Sequence, residues 1–94
     1  MREKEIERRF VKAVKQYGGL ALKFISPGFD GMPDRLVLLP ERHFGFVEVK
    51  APGMKPRPLQ ISRHKLLTKL GFEVYVLDNP EDIEKIINSI RGDS

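Results

Sequence analysis

The stretch Pro33-Asp34-Arg35-Leu36-Val37-Leu38-Leu39-Pro40-Glu41-Arg42-His43-Phe44-Gly45-Phe46-Val47-Glu48-Val49-Lys50 contains two short runs of branched and aromatic residues, Leu36 to Leu39 and Phe44 to Val49. The four residues between them, Pro40, Glu41, Arg42 and His43, make the pair read as a hairpin. A turn centred on Glu41 sets the register, with Leu36 opposite Phe46, Leu38 opposite Phe44 and Asp34 opposite Glu48. Side chains alternate faces along a strand, so Asp34, Glu48 and Lys50 fall on one side and Val49 on the other. Two carboxylates side by side repel unless a cation lies between them. A divalent metal held by Asp34, Glu48, the Val49 carbonyl and waters is the expected resolution, and oxygen ligands favour Mg2+ or Mn2+. A metal beside a lysine is the equipment of phosphodiester chemistry.

Charge placement outward from this cluster agrees. Between Glu48 and Glu73 the chain has no acid, while Lys50, Lys55, Arg57, Arg63, Lys65 and Lys69 supply cations. From Asp78 onward the balance reverses, with Asp78, Glu81, Asp82, Glu84 and Asp93 against Lys85 and Arg91. A basic stretch after a carboxylate pair suits a polyanion, whose phosphates the cations hold while the metal acts on one of them. Lys23, Lys55, Arg57, Arg63, Lys65 and Lys69 are therefore expected nucleic-acid contacts. The competing expectation for such a run is a solvated helix face.

The 94 residues, 40% of them hydrophobic, suffice for one domain spanning 1–94 with little core to spare. Absence of cysteine excludes disulfides and thiolate metal sites, and the polar start Met1-Arg2-Glu3-Lys4 lacks the apolar stretch of a signal peptide. No apolar run reaches membrane-spanning length. A soluble, cytoplasmic protein is expected. His43 falls in the hairpin turn and His64 among helix cations, both read as solvent-exposed, which argues against a histidine-based metal or nucleophile.

Ile6, Phe10, Ala13, Val14 and Tyr17 recur at helical spacing before Gly18 and Gly19, predicting a first amphipathic helix. Leu20 to Ile25 reads as a strand, and Ser26 to Met32, with Pro27, Gly28 and Gly31, as the loop that delivers Pro33. Beyond the loop Ala51 to Pro58, a helix from Pro58 to about Leu70 is expected to turn Leu59, Leu66, Leu67 and Leu70 inward. Glu73 to Leu77 makes a last strand, and Asn79, Pro80 and Asp82 open a helix striped by Ile83, Ile86, Ile87 and Ile90. The order α-β-β-β-α-β-α, with a crossover from Phe44 to Leu77, predicts an α/β fold whose mixed sheet has helices on both faces.

These residues resemble a known family. The element order, Pro33 and Asp34 entering the second strand, and Glu48-Val49-Lys50 ending the third look like the restriction-endonuclease-like PD-(D/E)xK superfamily. Within it, Gly31-Met32-Pro33-Asp34-Arg35, then Phe46-Val47-Glu48-Val49-Lys50-Ala51-Pro52-Gly53, and Pro58-Leu59-Gln60 closely resemble the short standalone form of the virus-type replication-repair nuclease domain, VRR-NUC. The resemblance covers nearly the whole chain. It implies a hydrolase, a Mg2+- or Mn2+-dependent endodeoxyribonuclease of the DNA-repair type, with Glu7, Asp34, Glu48, Lys50 and Gln60 as catalytic residues. It implies a homodimer acting on branched DNA, the leading substrate being a Holliday junction. Flap, nick or restriction-like substrates are the alternative within the enzyme class, and a non-catalytic nucleic-acid-binding module is the alternative outside it.

Read residue by residue, Asp34 and Glu48 would ligate the metal, and Lys50 would orient water or hold the scissile phosphate. Glu7, at the edge of the first apolar stripe, would add a carboxylate directly or through water. Gln60, in the first turn of its helix, would donate its amide to a phosphate or to water. Gly31 and Pro33 shape the turn that presents Asp34, and Arg35 alternates away as a structural or phosphate cation.

Overall fold

The computed structural model describes residues 1–93. Helix α1 spans Glu3–Gln16, and strand β1, Leu20–Lys23, follows it through the Gly18-Gly19 turn. Strands β2, Arg35–Leu39, and β3, His43–Val49, form the expected hairpin, so that His43 belongs to a strand rather than to the turn. Helix α2, Pro58–Lys69, crosses to strand β4, Val74–Leu77, and helix α3, Ile83–Ile90, ends the fold after a 3₁₀ turn at Pro80–Asp82. That turn begins with the Glu81 N–H donating to the Asn79 Oδ1, an N-terminal cap.

The sheet runs in the order β1-β2-β3-β4, with β1 antiparallel to β2, β2 antiparallel to β3, and β3 parallel to β4. Leu36 pairs with Phe46 and Leu38 with Phe44. That register carries Asp34, one residue before β2, to the level of Glu48. The turn between them holds both Glu41 and Arg42 at a φ of 67°, the left-handed region in which a side chain's Cβ crowds its own carbonyl.

One face of the sheet carries the core. Ala21, Val37, Leu39, Val47, Val49 and Leu77 point into the stripe of α1, Ile6, Phe10 and Val14, and that of α3, Ile83, Ile86, Ile87 and Ile90. Gly45 shares this face, where a Cβ would lie 3.1 Å from Ile90; its missing side chain lets α3 close onto β3.

The opposite face is covered unevenly. Here α2 packs at the β4 end through Gln60 and Leu67, while Leu59, Leu66 and Leu70 stay exposed instead of turning inward. Leu20, Leu22 and Leu38 on the far strands, with Phe44 and Phe72, remain substantially exposed. The expectation of helices on both faces therefore holds in arrangement, but α2 lies over the acidic end of the sheet and not over its whole breadth. The reason is chemical: the side of α2 that meets the sheet is polar at Gln60, because Glu48 is there.

Candidate functional site

Glu48 is the buried acid of the fold, only 1% exposed at the end of β3. Its Oε2 accepts a hydrogen bond of 2.9 Å from Gln60 Nε2 and lies 3.6 Å from Lys50 Nζ. Its Oε1 has no hydrogen-bond partner and sits 3.5 Å from His64 Nε2. Burial, and then the neighbouring Asp34 carboxylate, push its carboxyl up to about 8, while Lys50 pulls in the opposite direction. A carboxyl so raised is one whose ionised form lacks sufficient positive charge around it.

Asp34 is placed by a backbone clasp. Its Oδ2 accepts from the Val49 N–H at 2.9 Å, and its own carbonyl accepts from the Phe24 N–H at 2.8 Å, which ties it to both neighbouring strands. Upstream, Gly31 has a φ of +88° and packs where a Cβ would come within 2.8 Å of Leu59, so any larger residue would push the loop from α2 and move Asp34. Arg63 holds the same loop, donating from Nε to the Asp30 carbonyl at 2.7 Å with its guanidinium 3.9 Å from the Phe29 ring centre.

Gln60 is oriented by the helix it begins. Its Oε1 accepts from the Arg57 N–H at 2.8 Å, half of a capping box, and this leaves its Nε2–H₂ to face Glu48. The reading of Gln60 as a donor to phosphate or water meets a different partner here, the carboxylate itself. Gln60 is 5% exposed.

Glu7 is held elsewhere. Its Oε2 accepts from Arg35 Nε at 3.0 Å, and Arg35 also donates to the Ala21 carbonyl at 3.0 Å. Among the described residues, no three histidine, cysteine, aspartate or glutamate side chains gather as a ready metal cage, so Glu7 does not join Asp34 and Glu48. Arg35 does alternate away from Asp34, to the α1 side, where it lines a cleft of about 450 Å³ with Lys4, Arg8, Lys12 and Lys15. This cationic wall on α1 was not among the expected contacts. Its signal is the spacing of those four residues, which puts them on one side of a helix.

Of the expected contacts, Lys23, Lys55, Arg57, Lys65 and Lys69 are exposed, while Arg63 is engaged with the loop. His64 is a correction: read as an exposed bystander, its side chain is 14% exposed. It lies four residues after Gln60 and so on the same side of α2, turned toward Glu48. Burial, then the charge of Lys50, lower its pKa from the ordinary histidine value.

Asp34, Glu48, Lys50 and Gln60 are thus brought together, His64 with them, on the α2 face of the sheet where β2 begins and β3 ends. For a divalent cation the fit is favourable. Two carboxylates with one buried oxygen unpartnered form an oxygen donor set, and burial raises the cost of leaving that negative charge uncompensated.

No family model matches the chain. It is 48% identical over 91 residues, 97% of each chain, to the "Putative nuclease p44" of Acyrthosiphon pisum secondary endosymbiont phage 1. It also resembles a solved structure described as a VRR_NUC domain, with a TM-score of 0.86 and 33% identity over 92% of this chain and 94% of that one. With the helix and strand order, the mixed sheet and these two likenesses in agreement, the chain belongs to the VRR-NUC family of nucleases.

Proposed function

We propose that this nuclease is a Mg2+- or Mn2+-dependent DNA endonuclease whose cation is held by Asp34, Glu48 and the Val49 carbonyl. The observation that carries the reading is Glu48: a buried carboxyl beside a second carboxylate, anchored through one oxygen and unpartnered at the other. When bound, the metal supplies a water of lowered pKa and neutralises charge developing on the phosphate. The chain's own residues do the rest. Gln60 fixes the rotation of the Glu48 carboxylate, and Lys50, 16% exposed at the end of β3, holds the scissile phosphate or orients water. Glu7 steadies Arg35, and Arg35 with the α1 cations offers phosphate contacts on the face of the sheet opposite Asp34.

The reading extends to branched DNA, with the four-way junction first, and to a homodimer. One acidic cluster per chain is at hand, whereas resolving a junction takes two paired cuts, which a two-fold dimer supplies. The exposed apolar side chains of Leu20, Leu22, Leu38, Phe44 and Phe72 give such a dimer a surface to bury.

A panel of labelled junction, flap, nicked, single-stranded and duplex DNA, incubated with Mg2+, Mn2+ or chelator, tests the reading. Metal-dependent internal cuts, strongest on the junction, are expected. Absence of metal-dependent product on every substrate would remove the enzyme assignment, and equal cutting of all shapes would remove the junction.

A further inference from the structure

We infer that Phe29, in the loop that leads to Asp34, is a stacking platform for one unpaired base at the branch point of the DNA. The inference rests on the branched-DNA reading above and adds the residue that recognises the branch, which neither the motif nor the family resemblance marked.

The loop is tied to the catalytic end of the sheet at both of its own ends. It leaves β1 at Phe24, whose N–H donates to the Asp34 carbonyl at 2.8 Å, and it returns at Asp34 itself. Phe29 is 40% exposed on this loop, and Ile25 at its foot 72%. A lone exposed apolar side chain needs no explanation. Phe29 is set apart by the way it is held. Its N–H donates to the Ser26 carbonyl at 3.2 Å, and the next residue, Asp30, is fixed through its carbonyl by Arg63 Nε at 2.7 Å. The Arg63 guanidinium lies 3.9 Å from the ring centre, so a cation covers one side of the ring and the braced loop keeps the ring at the surface. Arg63 stands three residues after Gln60 on α2, which gives the ring and the Glu48 carboxylate one helix as their common mount.

The loop also encloses a cleft of about 410 Å³, with Ile25, Pro27, Phe29 and Met32 in its wall. Among the described residues this wall has one acid, Asp30, and no lysine or arginine. Such a lining suits an uncharged base better than a phosphate. Every base has a π face and stacks on aromatic rings. Inside a continuous duplex both faces are occupied by neighbours in the stack. Where strands branch the stack is interrupted, and a base can offer a face to Phe29 close to the carboxylates that act on the backbone.

The test places 5-iodouracil either at the branch point or in the middle of an arm of a four-way junction, bound in chelator so that no strand is cut. Irradiation joins that base to an aromatic ring stacked on it, and peptide mass spectrometry identifies the joined residue. Phe29 should be joined from the branch point and not from the arm. Phe29→Tyr, which keeps the ring, should retain the ratio of junction to duplex affinity. Phe29→Leu, which keeps apolar bulk without a flat face, should lower that ratio at least about fivefold, the smaller end of what one base stack supplies. Leu70→Ala, at the far end of α2, should leave the ratio unchanged. Junction bound by the wild type without a Phe29 adduct, or with an equal adduct from the arm, would overturn the stacking role and leave the carboxylate centre standing, whatever the variants do. A folded Phe29→Leu with the wild-type ratio would overturn it as well. Wild-type protein that binds the junction no more tightly than duplex would remove the branched-DNA reading, and this inference with it.

Discussion

Gln60 bridges the Arg57 backbone N–H and Glu48 Oε2, accepting through its oxygen at 2.8 Å and donating through its nitrogen at 2.9 Å. Two fixed partners of opposite character leave the amide one orientation, so the start of α2 sets the rotation of a carboxylate on β3. Gln60→Ala should remove a buried hydrogen bond and leave Glu48 Oε2 without that donor, at about 1 kcal/mol. Cleavage should fall roughly 10- to 100-fold, the usual effect of losing a group that orients a metal ligand. Urea denaturation and the cleavage rate at saturating metal check the two parts separately.

The state of Glu48 gives folding a pH dependence of unusual sign. In the folded protein its carboxyl is pushed up to about 8, from 4.5 for the unperturbed group. Between those values the folded state keeps a proton that the unfolded chain has released, so stability falls as pH rises through the window and levels off above it. Thermal melts in chelator should show this decline. Glu48→Gln, which cannot ionise, should flatten it. A divalent cation should offset the decline most at the alkaline end, because it binds the ionised form.

The β2–β3 turn stores avoidable strain. Glu41 and Arg42 both lie at a φ of 67°, where asparagine and glycine are far more at ease. The double change Glu41→Asn with Arg42→Gly should raise stability by about 1 kcal/mol. Melting temperature should rise while the cleavage rate stays where it was, since the turn lies at the opposite end of the hairpin from Asp34 and Glu48.

For the dimer, Leu22→Lys and Leu38→Lys, placed on the uncovered side of the sheet at β1 and β2, should each give a monomer without loss of fold. Sedimentation velocity with circular dichroism reads both. A wild type that sediments only as monomer while still resolving junctions would remove the dimer from the account.

The hairpin register was readable because alternation and turn length both fix it: Leu36 does meet Phe46, and Asp34 arrives at the level of Glu48. The inward face of α2 was legible at Leu67 and misread at Leu59, Leu66 and Leu70, because four leucines outweigh one glutamine in any hydrophobic pattern. The face that meets the sheet is instead marked by Gln60, His64 and Leu67, spaced by four and three residues, a helical stripe whose polar members look like surface. That same spacing is the signal by which His64 was available from the sequence, once Gln60 was placed against Glu48. Glu7 was legible as a half-buried acid, but its partner was not. Arg35 lies 28 residues away, and an ion pair across that distance is decided by how α1 packs on the sheet.

If the buried Glu48 holds a cation for phosphodiester cleavage, wild type and Glu48→Gln must differ on one labelled junction at equal DNA occupancy, with Mn2+ or chelator. Glutamine keeps the size of the side chain and removes its charge. Wild type should cut only with metal, and Glu48→Gln should bind the junction as tightly yet cut at least a thousandfold more slowly, about 4 kcal/mol of transition-state stabilisation. Undiminished cutting by Glu48→Gln, or cutting by the wild type in chelator, would contradict it.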